Sequence, residues 1–345
     1  MKRRTFLKTA GTAAGGLAIG LRPIAFADPA DAGRKLIPHA SGLPRRMLGR
    51  TGRAVSIIGY PGLALAKIAQ AEANTALRKG YDLGVNYFDV APAYGDAEIK
   101  MGIAMAESKI PRDEIFLSCK TKQRTAEGAR SELERSLMRL KTDHFDLYQL
   151  HVMSTKADVE AVFAPDGAMK TLEQAREQGK VRALGFSAHT KEAALALLGR
   201  FKYDTVMYPV NFIEHYTHKF DPEVLSLARE KGAAVLAIKG ISAGSWKRGE
   251  AKTRNNYWYK ALEDLNEIEL ALRFTLSLDP VVAALPTSFT DLAEKSIASA
   301  KRYRPATDAD LQALQKLVEK YQPLFPRNPS WVHAGPHTEY YKVAV

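Results

Sequence analysis

The chain has 345 residues, 46% of them apolar, and 50 Lys and Arg against 38 Asp and Glu give a formal charge of +12. Its one cysteine, Cys119, excludes an internal disulfide and any multi-cysteine metal or iron–sulfur site. The bases are scattered rather than gathered into a stripe and no nucleic-acid-binding motif accompanies them, so nucleic acid is not an expected partner.

Five of the positive charges lie at the amino terminus. Lys2-Arg3-Arg4-Thr5-Phe6-Leu7-Lys8 is a twin-arginine motif, followed by a mild Ala/Gly-rich apolar stretch over 9–21 and a small-residue site at Ala25-Phe26-Ala27. That order predicts a cleavable signal over residues 1–27, the twin-arginine export machinery as a partner, and a periplasmic location. Cleavage leaves +7 on 318 residues. The stretch falls short of the ~20 apolar residues a spanning helix needs, so no stable membrane anchor is expected. A polar linker over 28–44 precedes a single domain over 45–345.

Residues 47–54, with the turn Gly49-Arg50-Thr51-Gly52, read as a small hairpin. Beyond it, short apolar runs suited to buried strands occupy 56–58, 85–89, 115–120, 145–151, 183–187, 205–210, 234–238 and 281–286. Amphipathic stretches with apolar residues three and four apart separate most of them, at 71–83, 128–140, 169–178, 191–198, 222–231 and 268–278. Eight strand–helix units predict an α/β fold, a (β/α)8 TIM barrel with an N-terminal β-hairpin. An open doubly wound sheet is the alternative, but no Gly-x-Gly-x-x-Gly turn follows the first strand. An aromatic-rich loop at 244–265, a last helix at 308–321 and an aromatic tail from 323 break the rhythm, and the loop and tail are expected to select the substrate.

Asp89, Lys120 and His151 stand 31 residues apart in equal steps, each at the end of an apolar run, and Tyr94 follows the first by five. Equal phase in a repeating unit brings strand ends together at the face where barrels carry their sites. The four groups suit carbonyl reduction. A phenol with an ordinary pKa near ~10 delivers a proton poorly at neutral pH, and a buried ammonium from Lys120 is expected to make Tyr94 more acidic. Asp89 would hold that lysine, and His151 would orient the carbonyl oxygen. Metal-ligand spacing and an acyl-transfer nucleophile are both absent from the pattern.

Asn86-Tyr87-Phe88-Asp89-Val90-Ala91-Pro92-Ala93-Tyr94-Gly95 resembles the aldo-keto reductase signature, as do Leu117-Ser118-Cys119-Lys120, Asp146-Leu147-Tyr148-Gln149-Leu150-His151 and Gly185-Phe186-Ser187. The resemblance runs from about Met47 to the helix near Ala300. It implies a catalytic tetrad of Asp89, Tyr94, Lys120 and His151, and NADP or NAD bound without a Rossmann fold. It also implies cofactor contacts from Ser187 and Asn211 at the carboxamide, Gly240 and Ser242 at the pyrophosphate, and Ser288 and Glu294 toward the adenosine. Lys239 falls near the nicotinamide, where many members place an aromatic or small residue. Ala188, His189 and Met207 also depart from the common pattern, and Asp291 would repel a 2′-phosphate. His189 and Lys239 are more like a branch whose members often carry an iron–sulfur tail, a cluster that one cysteine cannot hold. Two other readings stay open: a non-turnover cofactor-binding module, regulatory or redox-sensing, and a sugar-cleaving barrel using acids such as Glu98 and Glu214, which form no matched pair in sequence.

Overall fold

The structure, a computed structural model, describes residues 35–325 apart from 248 and 255–257. The export signal, the first residues of the linker, Tyr257 and the tail beyond 325 lie outside the described residues. Strands β1 (Arg45–Met47) and β2 (Ala54–Ser56) pair antiparallel, with Met47 opposite Ala54. The turn between them closes through Gly52 at φ 70, a left-handed conformation that favours glycine. The predicted strand at 56–58 is displaced. Ser56 ends the hairpin, its N–H donating to Asn86 Oδ1 at 2.6 Å, and the first barrel strand is β3 (Tyr60–Pro61). A three-residue apolar run does not distinguish the end of a hairpin from the start of a barrel.

The other barrel strands lie close to the predicted runs. They are β4 (Tyr87–Asp89), β5 (Phe116–Thr121), β6 (Phe145–Met153), β7 (Val181–Ala188), β8 (Thr205–Pro209), β9 (Ala234–Ile238) and β10 (Val281–Leu285). All eight are parallel and neighbour one another in chain order. A parallel bridge between Ile58 and Ala284 closes the ring, with Gly59 N–H donating to Ala284 O and Ala284 N–H to Ile57 O, both at 2.9 Å. Glycine is required there, since a Cβ on Gly59 would lie 2.6 Å from the Tyr87 ring and 2.9 Å from Leu285.

Around the strands run α1 (Gln70–Asp82), α2 (Ala97–Glu107), α3 (Ala126–Leu140), α4 (Lys156–Val162), α5 (Ala168–Glu177), α6 (Lys191–Arg200), α7 (Phe212–His218), α8 (Pro222–Lys231), α9 (Leu265–Ser277), α10 (Thr290–Lys301) and α11 (Asp308–Val318). Helix α3 shows why such segments form: Ala129, Leu133, Leu137 and Leu140 make one buried stripe, and Thr125 caps the start by accepting from Gly128 N–H. One core fills the space between helices and sheet. A second lies inside the barrel, where Leu48 and Val55 of the hairpin region pack against Tyr87, Phe116, Leu147, Ala183 and Ala234. The hairpin therefore stoppers the end of the barrel where the strands begin, and the opposite end stays open. No helix of the described residues is long and apolar enough to cross a membrane.

Candidate active site

At the open end, the strand termini deliver the side chains. Asp89 is the last residue of β4, Lys120 lies one residue from the end of β5, and His151 two from the end of β6. Tyr94 sits in the turn after β4, fixed by its own N–H donating to Ala91 O (3.0 Å) and by Ala97 N–H donating to Tyr94 O (3.1 Å).

The Lys120 ammonium is fully buried and lies 2.5 Å from Asp89 Oδ2, with a second hydrogen bond to Val90 O at 3.2 Å. Ser118 Oγ (3.1 Å) and the Tyr87 hydroxyl (3.4 Å) donate to the other Asp89 oxygen, and Gln149 Nε2 donates to Ser118 Oγ at 3.0 Å. Burial pushes the Asp89 carboxyl up, against the pull of Lys120 and these hydroxyls. The same ammonium stands 5.1 Å from the centroid of the Tyr94 ring. Tyr94 also meets the His151 imidazole edge to face, the two centroids 5.6 Å apart. Burial holds His151 well below the ordinary histidine value, and the charges of Lys120, Lys122, His189 and Arg124 push the same way. Both effects favour the uncharged imidazole.

Asp89, Tyr94, His151, Ser187, Lys239 and Ser288 all line one cavity of about 250 Å³ that opens at this end. Trp258 and Tyr259, from the loop after β9, form part of its wall, together with Pro61, Lys67, Ile68, Phe289 and Asp291. Asn211 caps α7, its Oδ1 accepting from Glu214 N–H at 3.0 Å, while its buried Nδ2 has no hydrogen-bond partner among the described residues. Gly240 and Ser242 are buried in the turn following Lys239, and Ser242 Oγ accepts from Gly244 N–H. Glu294 is placed differently: it stands on α10, half exposed, in an ion pair with Lys79 of α1 at 2.7 Å.

Lys239 has a left-handed backbone (φ 63) and a buried ammonium 3.3 Å from His189 Nε2, with the rings of Trp258, Tyr259 and Phe325 5.3 to 5.9 Å away. Burial lowers its pKa to about 7, partly offset by Glu214. Glu214, raised by burial to about 7, accepts from the N–H groups of Leu324 (2.5 Å) and Phe325 (3.3 Å). Glu98 is buried against Arg139 at 3.1 Å. Neither acid belongs to a carboxylate pair facing across the cavity among the described residues.

Two arginines in this region were not singled out by the sequence. Arg254, in the loop after β9, grips Asp291 through Nη1 (3.0 Å) and Nη2 (2.6 Å), bonds Glu263, and lies 4.5 Å from the Phe289 ring centroid. Asp291 is thus paired rather than bare. Arg124, after β5, donates to the backbone carbonyls of His151 and Val152.

The model of the aldo/keto reductase family matches residues 57–319. The chain belongs to the aldo/keto reductase family. Among its relatives are a 6-dehydroglucose reductase of Novosphingobium aromaticivorans, 33% identical over 44% of this chain and 54% of that protein. Another is a D-threo-aldose 1-dehydrogenase of a Pseudomonas species, 26% identical over 62% of this chain and 74% of that protein. The matched region thus spans about half the length of the first of these. Of the solved structures, an aldo-keto reductase of Bacillus halodurans in its holo form superposes with a TM-score of 0.63 at 23% identity, covering 83% of this chain and all of that one. Aldo/keto reductase membership and the closed barrel agree with the expectation from the signature motifs.

Proposed function

We propose that this aldo/keto reductase reduces the carbonyl group of a small aldehyde or ketone to an alcohol, with NADPH or NADH as hydride source and Tyr94 as proton donor. The observation that carries the reading is the buried Lys120–Asp89 pair beside Tyr94, with His151 against the same phenol ring and Asp89, Tyr94 and His151 lining one cavity. The residues present suit a nicotinamide dinucleotide. Asn211 Nδ2 is a buried donor in want of an acceptor such as a carboxamide oxygen, and Ser187 stands in the cavity wall.

When bound, the dinucleotide supplies hydride to the carbonyl carbon. The protein does the rest. One nitrogen of the neutral imidazole donates a hydrogen bond to the carbonyl oxygen and orients it. Tyr94 gives its hydroxyl proton to that oxygen as the C–O double bond becomes single, completing the alcohol. The nearby Lys120 charge stabilises the negative charge left on the phenol oxygen. Asp89 fixes the lysine and offsets the cost of burying its charge. Water then restores the proton.

Replacing Tyr94 with Phe is expected to lower kcat about a hundredfold or more, while the Kd for NADPH, read by fluorescence titration, stays near that of the parent. Turnover that survives the change would falsify the role of Tyr94. The two relatives are a 6-dehydroglucose reductase and a D-threo-aldose 1-dehydrogenase, which makes aldoses and oxidised sugars the first substrates to try. We further propose export: the twin-arginine motif supports a mature chain that begins at Asp28 in the periplasm. The intact mass of protein from a periplasmic extract tests this, and recovery of only the full-length mass in the cytoplasm rules it out.

A further inference from the structure

We infer that Arg124 and Ser187 are positioning residues: they hold Val152 in a left-handed turn and so aim His151 at the reacting carbonyl. The inference rests on the role given to His151 above. Strands β6 and β7 run in register up to Leu150 opposite Phe186, and the next pair is Met153 opposite Ala188, so β6 carries one extra residue at the histidine. This is a bulge, a device that turns a side chain out of the regular alternation of a strand. Val152 supplies the turn with φ 54. A β-branched residue in that region crowds its own backbone, and such a conformation lasts only where the surroundings impose it.

What imposes it is visible on both sides of the residue. Val152 N–H donates to Ser187 Oγ at 2.9 Å. Its carbonyl accepts from Arg124 Nη2 at 3.2 Å, and the carbonyl of His151 accepts from Nη1 and Nη2, both at 3.1 Å. The guanidinium is itself fixed. Nη1 also donates to Lys122 O at 3.1 Å, and Nε donates to Asp158 Oδ1 at 2.8 Å. The other Asp158 oxygen accepts from the N–H groups of Ser154 (3.1 Å) and Thr155 (3.0 Å), so the segment after the bulge is tied to the same arginine. The imidazole meets the Tyr94 ring edge to face, but no hydrogen bond fixes its Nδ1, which is buried without a partner among the described residues. Its direction is therefore set by the backbone, and the backbone is set by Arg124 and Ser187.

The test uses Arg124→Ala, Val152→Asn and the double variant, because asparagine tolerates the left-handed region without outside help. Two readouts are taken: kcat with D-glyceraldehyde and NADPH, and the imidazole NMR signal of His151, assigned by its loss in His151→Gln. Arg124→Ala is expected to shift the ring signal and lower kcat about tenfold or more, with the NADPH Kd within about twofold of the parent. Val152→Asn alone should leave the ring signal in place. In the double variant the signal should return and most of the lost kcat with it, a rescue that a purely structural arginine would not show. Arg124→Gln, which keeps most of the side-chain length but loses the fork, replaces Arg124→Ala should the latter not fold. An unshifted ring in the arginine variant, or a double variant no better than the single one, overturns the inference. A ring signal that follows the series in a protein that turns over no carbonyl leaves the clamp standing and removes the proposed reaction instead.

Discussion

Lys239 is the residue whose chemistry is least explained by the proposed reaction. Its ammonium is buried among three aromatic rings and a histidine, and it forms no ion pair with a described carboxylate. Cation–π contact offsets only part of the lost hydration. The sign of the stability effect follows from the pKa. Folding lowers the group to about 7, against ~10.4 for a free lysine, so between those values the unfolded chain binds more proton and stability rises with pH. Below about pH 7 both states hold the proton and the full penalty is felt. Lys239→Met keeps the stem and removes the charge, so it should stabilise the protein at pH 7 by on the order of a few kcal/mol. It should also flatten the rise in unfolding free energy between pH 7 and pH 9, a window below the titration of ordinary tyrosines. Urea unfolding at the two pH values checks both. An unchanged slope would mean that the rise has another source.

At the scale of elements, the loop after β9 is joined to α10 by Arg254. One guanidinium binds Asp291 at the start of α10 and Glu263 just before α9, and stacks over Phe289. Arg254 is the basic side chain that pairs with the Asp291 carboxylate at this rim of the cavity. Arg254→Ala should therefore act twice in the same direction, freeing the loop and leaving Asp291 uncompensated. The expected result is a weaker dinucleotide, Kd rising about fivefold for NADH on the scale of one partly exposed ion pair. NADPH should lose more, because its extra phosphate meets the bare carboxylate. Equal losses for both would place the adenosine end away from Asp291. Nothing local in the sequence signals this contact: Arg254 and Asp291 are 37 residues apart and the loop has no period. Helix α4 was similarly invisible, since seven residues show barely two turns of amphipathicity. The bulge in β6 was hidden for another reason. The apolar run continues through Val152, and a left-handed valine leaves no mark on composition.

For the whole molecule, the legible part was the repeat. A step of 31 residues between Asp89, Lys120 and His151 is one strand and one helix, and a ring of such units must bring strand ends to a common rim. That argument located the open end of the barrel but was silent about the closed one, because the stopper depends on which side of a short hairpin faces inward. Leu48 and Val55 turned out to face the barrel interior, against the first residues of several strands, in a cluster whose other members include Met207 of the cavity wall. The two ends should therefore separate stability from function. Leu48→Ala removes a fully buried side chain and is expected to cost about 2–5 kcal/mol of unfolding free energy. With the proposed catalytic groups carried at the opposite rim, kcat of the folded protein should stay within about twofold of the parent, as expected for a change at the strand-start face of such a barrel. Denaturant titration and steady-state rates on the same preparation test the division. A large fall in kcat without a fall in stability would show that the inner core transmits strain from the stopper through Met207 to the cavity, and the two ends would then have to be treated as coupled.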